Sequence, residues 1–250
     1  MIASESLGTL GRKTVALVTG ANKGIGKETA RQLAERGITV LLGARDESRG
    51  KAAAQEISAA GDVRFVQLDV TNDDQIDAVA RLIEDEFGHL DILINNAGVI
   101  AERNTTAASA TVDEVQATYE TNVFGVVRVT NALIPVLRRS GNGRIVNLSS
   151  FLGSLGISSA SEPTSGVPVL IGYFSSKTAV NALTVHYANE LREHAIKVNS
   201  ADPGYVSTDL NGHTGSRSVE QGAAVVVSLA VLGEDGPTGG FFGEDGIQPW

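Results

Sequence analysis

The chain has 250 residues, 42% hydrophobic and 20% charged, which suits one large α/β domain or two small ones and excludes a disordered chain. A net charge of −9 without a basic run argues against nucleic acid as a partner. The absence of cysteine excludes disulfides and thiolate metal sites.

Met1 to Lys13 is polar and lacks the apolar core of a signal peptide, so a cytoplasmic protein is expected. Apolar runs and amphipathic stretches then alternate. Val15 to Thr19 reads as a buried strand and Gly24 to Arg36 as a helix. Ile38 to Gly43 is a second strand and Glu47 to Ala60 a helix; Val63 to Leu68 is a third strand and Asp73 to Phe87 a helix; Leu90 to Ile94 is a fourth strand. Beyond it come a long helix over Val112 to Leu137, a strand over Arg144 to Leu148, a helix over Tyr173 to His194 and a strand over Lys197 to Ala201. Ser154 to Val169, rich in Ser, Gly and Pro, shows neither periodicity and reads as a long loop of the kind that lines a site. Ala223 to Leu232 is a nearly continuous apolar helix, far short of the ~20 residues that span a bilayer. Short apolar strands separated by helices indicate a parallel sheet covered on both faces. The expectation is an α/β chain, a single-domain Rossmann fold with a doubly wound parallel sheet and helices on both faces. Residues 12–150 form its cofactor-binding half, and residues 151–250 carry the helix of Tyr173, an insertion at 154–171 and a substrate lid at about 205–220.

Thr19, Gly20, Ala21, Asn22, Lys23, Gly24, Ile25 and Gly26 follow the first strand and open the first helix, the context in which a Gly-rich string binds a dinucleotide. Gly20 can turn sharply, Gly24 can let the backbone approach a pyrophosphate, and Gly26 can let helix and strand pack closely. The helix N-terminus offers N–H groups and partial positive charge to the anion. An NAD site wants a carboxylate about 20 residues further on. Here the second strand ends in Ala44 and Arg45, and Lys23 lies within the turn, so a 2′-phosphate finds cations and NADP(H) is the expected cofactor. Asp46 is the competing signal, since a small shift in the strand end brings it to the place, expected at Ala44, where a carboxylate would take a ribose hydroxyl.

Tyr173 and Lys177 are four residues apart, one helical turn, with Ser150 upstream. A phenol normally holds its proton until about pH 10, and a fixed ammonium beside it is expected to lower that value. Such a pair suits carbonyl–alcohol interconversion.

With these motifs in order, the chain resembles a short-chain dehydrogenase/reductase. The likeness rests on the glycine string from Thr19, Asp69, Asn95-Asn96-Ala97-Gly98, Asn122, Ser150, Tyr173 with Lys177, and Pro203-Gly204, and it covers nearly the whole chain. The resemblance implies Tyr173 as proton donor, Ser150 as the hydrogen bond to the carbonyl oxygen with Ser149 as the alternative, and Lys177 on the nicotinamide ribose. It implies Asn122 holding a water of a proton relay. Asp69 and Val70 would contact the adenine, Asn96, Ala97 and Gly98 the adenine ribose, and Pro203, Gly204, Val206 and Thr208 the nicotinamide. Ser150 and Tyr173 stand 23 positions apart, where about a dozen is usual for the family; with Lys23 and Arg45, this likens the chain to NADPH-dependent carbonyl reductases, some of them monomeric.

The implied activity is NADPH-dependent reduction of a ketone or aldehyde. A 3-oxoacyl-carrier reductase and an NAD-dependent secondary alcohol dehydrogenase stand as alternatives within the family, and a cofactor-sensing regulator as one outside it. Phe151, Leu152, Leu155, Val169 and Leu170 suggest an uncharged, apolar small-molecule substrate, without nucleic acid or membrane as partner. Tyr205 and Thr208 to Gly215 read as a lid with Gly212 and Gly215 as hinges. A monomer or homodimer is expected, a tetramer possible. The four histidines and the Glu84, Asp85, Glu86 cluster show no convincing metal-ligand spacing.

Overall fold

Val15–Val18, four residues without contact with water, form the central strand β1 of the computed structural model, which describes residues 12–102, 106–160 and 169–250. Strands β2 (Thr39–Ala44), β3 (Val63–Gln67), β4 (Ile92–Asn95), β5 (Arg144–Leu148), β6 (Lys197–Ala201), β7 (Phe241–Gly243) and β8 (Gly246–Ile247) complete one sheet in the order β3-β2-β1-β4-β5-β6-β7-β8. All neighbours are parallel except β7 and β8. The helices are α1 (Gly24–Ala34), α2 (Glu47–Glu56), α3 (Asp73–Phe87), α4 (Val112–Tyr119), α5 (Gly125–Arg138), α6 (Leu155–Ala160), α7 (Ile171–Leu191) and α8 (Val219–Ala230).

Alternate side chains of a strand point to opposite faces, and both faces are covered. Ala16 and Val18 of β1 join the cluster that includes Leu33 of α1, Ala53 of α2 and Val226 of α8. Val15 and Leu17 join the cluster of Ile83 from α3, Leu133 from α5 and Leu191 from α7. That is why β1 reads as a continuous apolar run rather than an alternating one. The fold is the doubly wound α/β architecture that the pattern predicts.

The structure differs from the sequence reading in several elements. The helix expected over Val112 to Leu137 is broken by a π-helical turn, Glu120–Phe124, between α4 and α5. The expected loop Ser154 to Val169 contains α6; Ser154 caps it by accepting from the Ile157 amide at 3.0 Å. Six residues are too few to show a helical period. The same serine donates to the Pro249 carbonyl at 2.8 Å, and the Gly156 amide donates to Trp250 at 2.7 Å, so α6 is tied to the C-terminus. Trp250 itself stacks on Phe241 with ring centroids 5.8 Å apart. The remainder of the expected loop, 161–168, and the N-terminal stretch read for a signal peptide, 1–11, lie outside the described residues. β7 and β8 give no pattern in the sequence because they are two to three residues long amid glycines. Among the described residues, no helix is long and apolar enough to cross a membrane.

Candidate active site

The strand order reverses between β1 and β4, and the loops that leave their carboxyl ends diverge around a cleft of about 670 Å³. That volume falls within the roughly 300–1,000 Å³ of sites that bury a small organic ligand.

One end of the cleft is glycine and backbone. Gly20 has φ +63°, and a Cβ there would stand 2.8 Å from the Ala97 Cα; a Cβ on Gly26 would stand 2.3 Å from Asn96 Nδ2. Only glycine fits such approaches. Asn96 donates to the carbonyls of Thr19 (2.7 Å) and Gly20 (3.1 Å), and the Thr19 hydroxyl accepts from the amides of Asn96 and Ala97. The two diverging loops are thereby locked together. α1 has Lys23 as its N-cap residue, with no side-chain cap and no acid in its first turn, so its N-terminal N–H groups and positive end remain available for an anion.

The end of β2 borders the same cleft through Arg45, which is exposed. Ala44 beside it is buried. Asp46, the competing carboxylate, caps α2 by accepting from the Arg49 amide at 2.9 Å and pairs with the Arg49 guanidinium at 3.1 Å. The Arg49 amide first, then its side chain, holds the Asp46 carboxyl below the usual carboxylate range. Lys23 also lines the cleft, but its ammonium lies 2.6 Å from Asp209 of the 208–213 loop, and His213 contacts the same carboxylate at 2.7 Å.

At the other end, α7 presents Tyr173 and Lys177, with the Lys177 ammonium 5.6 Å from the Tyr173 ring centroid. Lys177 is buried and donates to the Leu148 carbonyl at 2.8 Å. Burial brings its ammonium down to about 8. The Tyr173 phenol is pushed up to about 12 by burial and then by the charge of Asp202. This differs from the expectation of a depressed phenol: burial and the negative charge of Asp202 both favour the neutral form.

Asp69, Val70, Asn96, Ala97, Gly98, Pro203 and Thr208 also line the cleft, together with Asn22, Gly24 and Ile25. Four expected site residues do not. Asn122 is buried in the π-turn, accepting from the Val99 amide at 2.8 Å and donating to the Val99 carbonyl (3.0 Å) and Ser176 (3.1 Å). It braces the loop after β4 against α7. Ser150 is buried, with its Oγ accepting from the Leu152 amide at 3.2 Å. Ser149 borders the cleft, and its hydroxyl points at the Lys177 carbonyl, 3.3 Å away. Gly204 packs under Arg217, and Val206 is buried and bridged to the same residue.

In the expected lid, a Cβ on Gly215 would stand 2.2 Å from the Val206 carbonyl carbon, so close packing there requires glycine. Tyr205 and Thr214 share a hydrogen bond across the loop. Phe151, Leu155 and Val169 are exposed, and none of the five apolar residues expected around the substrate lines the cleft. Asp202, which the sequence offers as a turn-former before Pro203, accepts from the Gly204 amide at 3.0 Å; its charge acting on Tyr173, and Asp209 as the partner of Lys23, were not anticipated. Among the described residues, no cluster of three or more His, Asp or Glu is placed to hold a metal ion.

The family model for "short chain dehydrogenase" matches residues 14–218. Carbonyl reductase [NADPH] 1 of Rattus norvegicus is 34% identical, the match covering 95% of this chain and 99% of that protein. A (+)-neomenthol dehydrogenase of Capsicum annuum is 32% identical over 91% of this chain and 94% of the relative. The solved structure of an NADPH-bound carbonyl reductase from chicken fatty liver superposes with a TM-score of 0.83 at 28% identity, covering 96% of this chain and all of the other.

Proposed function

The chain belongs to the short-chain dehydrogenase family, and from that premise we propose that it reduces a ketone or aldehyde to an alcohol with NADPH, Tyr173 giving the proton. The observation that carries this reading is the placement of Tyr173 and Lys177 on one face of α7 at one end of a cleft whose other end is a glycine cradle with a free helix N-terminus.

The residues present suit NADP(H). The cradle around Gly20, Gly24 and Gly26 admits a pyrophosphate, and the α1 N-terminus opposes its charge. Arg45 would meet the 2′-phosphate, since the nearest carboxylate, Asp46, is committed to α2. Bound there, the nicotinamide supplies the hydride that the carbonyl carbon takes. Tyr173 supplies the proton that the carbonyl oxygen takes, and the phenol recovers one from solvent. With its pKa pushed up, Tyr173 stays protonated throughout the neutral range, the state that reduction needs. Lys177, while protonated, offsets the charge left on Tyr173. Ser150 suits the second hydrogen bond to the oxygen better than Ser149. Its Oγ accepts a bond and so keeps its proton for donation, whereas the Ser149 hydroxyl is directed at Lys177. Asn122 acts by holding the loop after β4 on α7.

The substrate is read as uncharged and mainly apolar. Phe151, Val169, Ile171, Tyr205 and Leu210 are exposed on the segments that follow β5, flank Tyr173 or follow β6. The monomer-or-homodimer reading is supported by α6, which lies against the chain's own C-terminus at one edge of the sheet.

A panel of ketones with NADPH and NADH tests the reading, run on the wild type, Tyr173→Phe and Arg45→Ala. We expect NADPH preference, a loss of at least about 10²-fold in turnover for Tyr173→Phe, and a KM for NADPH raised far more than that for NADH in Arg45→Ala. Equal use of both cofactors by the wild type would overturn the role of Arg45. Full turnover by Tyr173→Phe would overturn the proton donor.

A further inference from the structure

α7 begins without a cap of its own. Its N-cap residue, Leu170, offers no side-chain acceptor, and its first turn contains no acid. Yet two of the N–H groups this leaves unpaired have partners. Glu102 accepts from the Gly172 amide at 2.6 Å through Oε1 and from the Tyr173 amide at 2.9 Å through Oε2. These are the second and third residues of the helix, whose amides an N-cap side chain would normally satisfy. Here the acceptor comes from 70 residues upstream, on the loop after β4.

The arrangement is built on both sides. Glu102 is 8% exposed. Its loop is held by Val99 on Asn122 and by the Ala101 amide on the Thr118 hydroxyl at 3.3 Å. On the helix side, a Cβ at Gly172 would stand 3.1 Å from the carboxylate carbon, so glycine leaves the room for two bonds to one carboxylate. A carboxylate on backbone N–H groups makes stronger hydrogen bonds than a neutral acceptor and complements the positive end of the helix.

We propose that Glu102 is a positioning residue for the proton donor: by pinning the main chain of Gly172 and Tyr173, it fixes the first turn of α7 and so the direction in which the phenol enters the cleft. The inference rests on Tyr173 as proton donor, the reading proposed above. Displacement of about 1 Å in a reacting group can cost 10²-fold in rate, so a helix frayed at Tyr173 loses turnover before it loses cofactor.

Glu102→Gln keeps the volume and one acceptor; Glu102→Ala removes both. Amide hydrogen exchange at Gly172 and Tyr173 is measured on the full chain without substrate, alongside kcat and the KM for NADPH on one activated ketone. We expect exchange at both amides to quicken in the order wild type, Gln, Ala. We expect kcat to fall about 10-fold in Gln and about 100-fold in Ala, with the KM for NADPH within about two-fold of wild type. Unchanged exchange, or an unchanged kcat despite faster exchange, overturns the proposal. So does a fall in kcat that merely follows the folded fraction seen in thermal melts. Should Glu102→Ala fail to fold, Glu102→Gln decides alone. A wild type that reduces no ketone sinks the functional reading instead, and the exchange data then still report whether Glu102 pins α7.

Discussion

Lys177 is buried with a main-chain carbonyl as its hydrogen-bond partner, and that burial costs the fold stability. Its pKa falls from the ordinary 10.5 to about 8. Between those values the unfolded chain binds more protons than the folded one, so stability rises with pH through this window. Below about pH 8 the cost amounts to as much as about 3 kcal/mol. Lys177→Met therefore gains stability at pH 7 while losing turnover. Allowing for the Leu148 carbonyl left unpaired, we expect a Tm raised by about 2–6 °C. The gap between variant and wild type should close as pH rises from 8 to 10.5; a gap constant with pH would show that the ammonium is not its source. The catalytic consequence has the opposite direction. kcat/KM for NADPH reports ionisations of the free enzyme, and we expect it to fall as pH rises through about 8, where Lys177 loses its charge. Tyr173, protonated to about 12, contributes no limb in that range. Tyr173 and Lys177 were legible in the sequence because one helical turn carries both. The order of their pKa values was not, because it follows from burial in the folded chain and, for Tyr173, from the charge of Asp202, remote in sequence.

At the level of elements, the strands were legible as apolar runs, and the glycine turn as a local string between strand and helix. Their polar exceptions were not legible. Asn95, Asn147 and Ser200 stand side by side in the registers of β4, β5 and β6, close behind the site. Asn95 donates to Thr130 of α5 at 3.1 Å and to Asn147 at 2.8 Å; Asn147 donates to Thr184 of α7 at 2.9 Å; Thr184 and Ser200 share a bond of 2.8 Å. All five residues are buried. Their partners lie on helices packed across the sheet face, which no spacing in one strand reveals. Asn147→Ala leaves the Asn95 amide short of an acceptor and Thr184 short of a donor. We expect a loss of about 2–4 kcal/mol, a fall of roughly 4–16 °C in Tm for a chain this long. A fall under about 2 °C in thermal melts would contradict a working network. The π-turn belongs with these hidden features: one extra residue per turn shifts the side chains after it, and Asn122 reaches Val99 from the middle of an otherwise regular helical pattern.

Across the whole molecule, the doubly wound order brings residues 186 positions apart to one edge of the cleft, where Lys23 of the glycine turn meets Asp209. The pairing was beyond reach of the sequence, which shows Lys23 only as a cation in a phosphate-binding string. Asp209 holds that cation at 2.6 Å, and Lys23 first and His213 after it keep the Asp209 carboxyl below the usual carboxylate range. A polyanionic ligand entering this cleft approaches a protein of net charge −9 and competes with Asp209 for the lysine. Asp209→Asn removes the competitor and one negative charge. Its apparent Kd for NADPH should tighten about three- to ten-fold at low salt, and the gain should shrink near physiological ionic strength, where the screening length is about 8 Å. Because a ligand that binds only the folded state raises Tm with RT ln(1 + [L]/Kd), a melt at fixed NADPH reads the change directly. The Asn variant should gain more Tm from NADPH than the wild type does. If it gains less, the carboxylate helps to hold the cofactor through the 208–213 loop, and the ion pair is part of the closed site rather than a rival to it.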